Sequence, residues 1–217
     1  MSSFRAKAAH NRGLPCRVQS CLVGRASISP YCDRHAKAVE RYGHPLGRAV
    51  HPKRDYGVER ELVSAFLAKH SSHPGVASAH HWLRRWLDEA NLGQEVPGRS
   101  ELQRLHAHMV SPLAILTEAA SLFLLSHWRP RVLPDDERLT FAIGVRVLSL
   151  APRTKRAGRL RGKPRLYCKA IGKVDRREVG RRIRLNLAAL LANIAAAITQ
   201  EEGAQRAMEA SLRQPFR

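Results

Sequence analysis

Four side chains able to bind a transition metal fall close together near the start of the chain: Cys16, Cys21, Cys32 and His35, at C-x4-C-x10-C-x2-H spacing. Three thiolates and one imidazole make a closed tetrahedral set. Such sets hold a structural zinc, whereas a catalytic zinc keeps one position for water or substrate. Unrelated buried thiols would seldom form two close pairs with a histidine completing the second. The expected cofactor is therefore a structural Zn²⁺, with no catalytic role. Cys168 lies far from the other three; a disulfide framework would pair it awkwardly, while a metal site uses three cysteines and leaves one over.

Two short pieces of chain must bring the ligands together. Cys16 and Cys21 suit a small knuckle with Leu22, Val23 and Gly24 nearby. Cys32 and His35, three residues apart, share one face of a helix predicted from about Tyr31 to Tyr42, with Gly43 at its C-cap and Pro45 beyond. Val39 joins the metal-facing side. Arg34, Lys37 and Arg41 form a stripe on the other, a ready contact for phosphates or a nucleic-acid groove.

The run Cys16…Cys21…Tyr31-Cys32-x-x-His35…Arg41-Tyr42-Gly43-His44-Pro45 resembles the short zinc-binding module of phage and mobile-element proteins, which ends in an aromatic-Gly-x-Pro turn and often stands beside HNH endonuclease domains. The likeness covers about residues 12–46. It implies zinc at Cys16, Cys21, Cys32 and His35 and a DNA-associated setting. The chain departs from that arrangement by continuing as a helical domain with no His-Asn-His signature, so nuclease activity is not carried over.

Charge divides the 217 residues unevenly. Net charge is +20 overall, made up of +8 over residues 1–56, zero over 57–150 and +12 over 151–217. A neutral middle between two basic ends suggests a packed core carrying surfaces for a polyanion. Of the basic residues, 30 are Arg and 8 are Lys, which favours bidentate phosphate and base-edge contacts. The longest apolar run, Pro112 to Trp128, is broken by Glu118 and too short for a bilayer, and the N-terminus lacks the apolar segment of a signal peptide. A cytoplasmic protein with no membrane partner is expected, in a bacterial nucleoid or a phage-infected cell.

The fold class expected is mainly α: a zinc module with a flexible basic arm (1–15) and linker over 1–56, a helical core over 57–150, a basic loop or wing over 151–174, and a long helix with tail over 175–217. Apolar periodicity marks helices through Val58, Leu62, Val63, Phe66 and Leu67, and through Val76, Ala79, Trp82, Leu83, Trp86, Leu87 and Ala90. Ser100 and Gln103 read as a capping box for a helix through Leu102, Leu105 and Met109, and Ser111-Pro112 starts a helix apolar nearly all round. Pro134 and the acids after it open another, and Asp175 with Glu178 caps the last, whose apolar positions run from Val179 to Ile198. His80, His81, His106, His108 and His127 read as scattered, since no carboxylate accompanies them at ligand spacing.

No acidic residue occurs from Arg138 to Lys173. Gly158, Gly162 and Pro164 mark 151–164 as a mobile loop, and Leu166 to Ile171 as a short strand or wing. Nucleic-acid contacts are assigned to Arg34, Lys37 and Arg41, to Arg153, Lys155, Arg156, Arg159, Arg161, Lys163, Arg165 and Lys169, and to Arg177 and Arg181. The favoured reading is a DNA-binding protein of a phage or mobile element, with apolar helices available for other subunits or self-association. An RNA-binding subunit of a ribonucleoprotein is the alternative. Aromatics make up only 6% of the chain and few lie in its basic segments, which weakens a single-strand stacking mode. A nuclease or recombinase accessory is the third reading, although neither clustered carboxylates nor a positioned nucleophile is recognisable.

Overall fold

In chain order the elements are α1 (Ser2–Arg12), α2 (Asp33–Tyr42), α3 (Pro52–Asp55), α4 (Gly57–Lys69), α5 (Pro74–Asn91), α6 (Arg99–Ala107), α7 (Pro112–Trp128), α8 (Asp136–Leu148), β1 (Lys155–Leu160), β2 (Lys163–Cys168) and α9 (Lys173–Leu212). The computed structural model describes residues 2–93, 95–96, 98–153, 155–160, 163–168 and 171–212, and side chains within 6–153 and 171–206. The mainly α expectation holds, with a long basic-ended last helix.

α7 is the centre because its sequence offers no polar face. Ser111 caps it, its Oγ accepting from the Ala114 N–H at 3.1 Å, and Pro112 supplies a preset first turn. Ile115, Leu116, Ala119, Leu122, Leu124 and Leu125 are fully or almost fully buried against α4, α5, α8 and α9. Asp135 caps α8 through the Arg138 N–H. α9 buries Val179, Ile183, Leu187, Leu191, Ile194 and Ile198. Over Lys173–Arg206 it is also long and apolar enough to cross a membrane by length and composition, but that apolar stripe lies on the core.

Four local expectations are corrected. Residues 2–12 form α1 instead of a flexible arm, because Asn11 donates to the Ser27 and Ser29 carbonyls at 2.6 and 2.7 Å and Ala8 is buried. Residues 155–160 are a strand: β1 and β2 pair antiparallel, Lys155 opposite Cys168 and Leu160 opposite Lys163. α6 begins after Gly98, whose left-handed φ of 74° starts the helix at Arg99. Ser100 therefore lies inside it, Gln103 ties α6 to the Ala90 carbonyl, and Met109 is exposed beyond its end. α9 begins at Lys173, so Asp175 stands in its first turn, where a carboxylate suits the helix dipole, and does not cap it.

α8 and α9 cross unusually closely. A Cβ on Gly144 would stand 1.7 Å from the Arg176 carbonyl oxygen, and one on Gly180 would stand 1.8 Å from that of Thr140. Backbone meets backbone there, and no side chain fits between. The crossing carries the first turn of α9 to the end of α2. Arg176 reaches the Ile171 carbonyl at 2.7 Å and the Glu40 and Arg41 carbonyls at 3.5 and 3.4 Å, with its guanidinium 5.9 Å from the Phe141 ring centre. Phe141 also packs on Gly43, the left-handed C-cap of α2, where a Cβ would meet the ring at 2.8 Å. Beside it His44 Nδ1 accepts from the Leu46 N–H and contacts Arg138.

Buried acids sit under this joint. Glu118 of α7 accepts from the Tyr56 hydroxyl at 2.5 Å and pairs with Arg60 at 3.0 Å and Arg146 at 3.4 Å. Burial and the Glu118 charge push the Tyr56 hydroxyl up, with Arg146 opposing, so Tyr56 stays a donor. Arg104, itself buried, holds Glu101 and donates to the Leu148, Ala151 and Pro152 carbonyls, fixing the chain between α8 and β1.

Gly180→Ala must part α8 from α9, at a cost of about 2–3 kcal/mol, lowering the thermal midpoint by about 4–12 °C. Gly203→Ala on the same helix meets nothing within 4 Å and leaves the midpoint unchanged or raised. Differential scanning calorimetry of the pair checks this; equal midpoints would contradict the close crossing. Desolvation and the Arg138 charge lower the His44 pKa, with Asp135 opposing. A lowered pKa means the fold favours neutral His44. That stability is fully present above about pH 6.5 and is lost as pH falls from there through the lower folded-state value. His44→Gln flattens this part of the pH–stability curve, as urea titrations at pH 5 and 7.5 will show.

Candidate metal centre

The knuckle is built by backbone pairing. Pro15 bridges Gly24 antiparallel, Cys16 N–H donates to the Val23 carbonyl at 3.1 Å, and Cys21 N–H to that of Val18 at 3.0 Å. Gly24 is required because a Cβ there would lie 2.8 Å from the Arg12 carbonyl oxygen. Ser20 and Ser27 adopt left-handed φ values of 68° and 46°, turning the chain at each end of the 21–26 segment. The second ligand pair rides on α2: Cys32 is its N-cap residue and His35 stands one turn on. The Ala36 N–H closes that turn on the Cys32 carbonyl at 2.8 Å.

The Sγ atoms of Cys16, Cys21 and Cys32 and a ring nitrogen of His35 all lie within 4.8 Å of one another. His35 Nδ1 is 3.4 Å from Cys16 Sγ and 3.3 Å from Cys32 Sγ, and the Cys21 and Cys32 sulfurs are 4.0 Å apart. Zinc-length bonds in a tetrahedron require about 3.6 Å between sulfur and nitrogen and about 3.8 Å between sulfurs. The donor set therefore fits a tetrahedral ion and can coordinate one. Cys16 and Cys32 are buried and Cys21 half-buried.

The electrostatics favour thiolate at one ligand. Burial pushes the Cys16 thiol up, but the Cys32 and Val18 N–H groups, His35 and Cys21 outweigh it and lower it to about 6. The Val23 N–H lowers Cys21, yet burial and the neighbouring Cys16 and Cys32 sulfurs raise it overall. Crowded thiols that cannot all ionise alone are the usual apo condition of a thiolate site, and a bound cation reverses the balance.

Sequence reasoning found the ligands but missed their clamp. Asn11 binds the Ser27 and Ser29 carbonyls, and Arg25 Nε donates to the Pro15 carbonyl at 2.9 Å while its Nη1 reaches Asn11 Oδ1 at 3.4 Å. These residues join α1, the knuckle and the turn before α2. A lone Asn in a basic segment carries no signal of this.

The candidate nucleic-acid residues are placed as follows. Arg34, Lys37 and Arg41 are exposed on α2, as is Arg153 after α8. Lys155, Arg156 and Arg159 lie on β1 and Lys163 and Arg165 on β2, while Arg161 and Lys169 lie outside the described residues. Arg177 pairs with Glu137 at 2.8 Å and Arg181 with Glu178 at 3.2 Å, so these two are partly neutralised. Arg41 and Arg153, far apart in sequence, line one cleft. Among the scattered histidines, His106 does meet a carboxylate, Asp88 at 3.4 Å, but among the described residues the Cys16–His35 set is the one cluster that could hold a metal.

Comparison of the chain with protein-family models, with curated proteins and with solved structures finds no match in any of the three.

Cys32→Ser removes both a ligand and the residue at the head of α2. Metal content measured on the purified chain should fall from about one equivalent to near zero. The 13–42 region unfolds, while helices α4 to α9 keep most of the far-ultraviolet signal. Full metal content in the variant would exclude this site.

Proposed function

We propose that the chain is a zinc-containing DNA-binding protein in which the metal orders α2 as a basic contact helix beside a basic two-stranded ribbon. The observation that carries this reading is the joining of the two basic segments. Arg41 at the end of α2 and Arg153 at the root of the ribbon line the same cleft, and Arg176, just beyond the ribbon, donates to the Glu40 and Arg41 carbonyls. This supports a surface shared by segments that a linear reading puts at opposite ends of a spacer.

The metal is zinc on this reading, because three thiolates and an imidazole at tetrahedral spacing suit a closed zinc site. β1 and β2 carry five basic residues and no acid. A two-stranded ribbon has the width of the B-form major groove, whereas the major groove of A-form RNA is too deep and narrow to enter. Those dimensions favour duplex DNA as the partner. A phage or mobile-element setting rests on the resemblance of residues 12–46 to that zinc module. The phosphate-facing residues are Arg34, Lys37 and Arg41 with the ribbon's lysines and arginines; the residues that read bases are not assigned.

Duplex DNA, single-stranded DNA and RNA of equal length, titrated by fluorescence anisotropy, test this. Duplex DNA should bind best. With about five phosphates neutralised, its affinity falls several-hundred-fold between 50 and 200 mM salt, and replacing Arg34, Lys37 and Arg41 together by Gln makes the log–log salt slope about 2–3 units shallower. Affinity insensitive to salt, or a preference for RNA, would overturn the reading.

A further inference from the structure

The cleft at the joint has the makings of a binding site in its own right. It is a half-open recess of about 280 Å³ between the segment after α2, α8 and the turn before α8, and among the described residues none that line it is acidic. Six are arginines: Arg41, Arg48, Arg131, Arg138, Arg146 and Arg153. Two of these are held from behind by acids outside the lining, Arg48 by Asp55 at 3.0 Å and Arg146 by Glu118 at 3.4 Å. Among the described residues Arg41, Arg131 and Arg153 have no acidic partner. Arg138 is largely buried, 3.6 Å from Asp135, and its Nε finds no hydrogen-bond acceptor. The remaining wall is mostly apolar, including Val50, Val132 and Val145.

A solvated basic surface needs neither a recessed cleft nor a largely buried guanidinium that meets His44 through one nitrogen and leaves its Nε without an acceptor. Both are expected of a preformed anion pocket. The charge excess suits a dianion, and the apolar wall suits an organic body attached to it. At this volume the cleft takes one small ligand and excludes a duplex. We propose that it binds the terminal phosphate of a nucleotide, with Arg131, Arg138 and Arg153 around the phosphate and the apolar wall against the nucleoside. The source is either a free mononucleotide or the 5′ end of a strand. The proposal does not require the groove contacts argued above, because Arg131 and Arg138 take no part in them.

The test is isothermal titration calorimetry of the full, metal-loaded chain in low salt. The ligands are deoxyadenosine monophosphate, deoxyadenosine, inorganic phosphate, and a single-stranded hexanucleotide with either a 5′-phosphate or a 5′-hydroxyl. The monophosphate should bind at one site, at least tenfold more tightly than either deoxyadenosine or inorganic phosphate. Arg131→Gln, an exposed change with no internal partner to disturb, should weaken it about tenfold. Arg85→Gln on α5, whose guanidinium pairs with Glu89 far from the lining, should leave it unchanged. A phosphorylated hexanucleotide that binds more tightly than both its hydroxyl form and the mononucleotide assigns the strand end. Equal affinity for the mononucleotide and both hexanucleotides overturns that source and leaves the free nucleotide. No preference for the monophosphate over the nucleoside, or no effect of Arg131→Gln, overturns the site itself. Duplex binding is measured separately, so loss of groove contacts with nucleotide binding retained would refute the proposed function alone.

Discussion

The close crossing of α8 and α9 at Gly144 and Gly180 constrains where the neighbouring elements can lie. Two helices meeting backbone to backbone leave little freedom of register, because shifting either by one residue would put a side chain where only hydrogen fits. Arg176 is fixed by that register, since its own carbonyl oxygen is what Gly144 accommodates. Its side chain then tethers the end of α2, and Phe141, one turn before Gly144, receives Gly43. Backbone pairing builds the knuckle, and the glycine crossing orients the helix that follows it. The crossing thus brings the end of α2 to the start of α9.

Beneath the joint, acids are used in a way that the net charge of +20 conceals. Asp55, Glu59, Glu101 and Glu118 are all buried, and each has arginine partners. Burial pushes the Asp55 carboxyl up, but Arg54, the His51 N–H and Arg48 outweigh it and hold it well below the usual carboxylate range. A buried carboxylate paired with a partly exposed guanidinium gains little net stability over an apolar pair, but it fixes where the arginine stands. Arg48 and Arg146 are positioned in this way from inside the protein. These four acids are turned inward, while the cleft retains its arginines and, among the described residues, no acidic lining.

What the sequence made legible follows the range of the interaction. The candidate metal ligands, the Gly43 stop, the Ser111-Pro112 start and the apolar stripe of α9 are marked by residue types at short, regular spacings, and all appear in the structure. Half of the hairpin is legible: the strand or wing expected over Leu166 to Ile171 overlaps β2, whereas the Arg and Gly of β1 give no alternating apolar pattern to mark it. The α6 start failed because Ser100 and Gln103 have capping chemistry, whereas Gly98 is chosen by its close passage against Val179 of α9, 2.9 Å from a Cβ there. Asn11, Gly144, Gly180 and the cleft arginines were illegible for one reason. Their positions depend on contacts between segments distant in sequence, and no local pattern encodes such contacts.

The joint also brings like charges together, which folding alone would not favour. Burial lowers the Arg176 pKa, the neighbouring Arg153 charge lowers it further, and Glu40, Asp175 and Glu101 offset only part of this. Arg153 is in turn held in place by the Arg104 anchor on the Ala151 and Pro152 carbonyls, and so cannot simply swing its backbone away. Cations fixed near one another with few facing acids raise the free energy of the unliganded protein and lower it when an anion arrives. The native packing of α8, α9 and α2 tolerates this repulsion because the glycine crossing, the apolar core and the Arg177–Glu137 and Arg184–Asp136 pairs hold the elements together. Rigid packing supplied by apolar contacts and repulsion between fixed cations are separable contributions, and here they are carried by different residues.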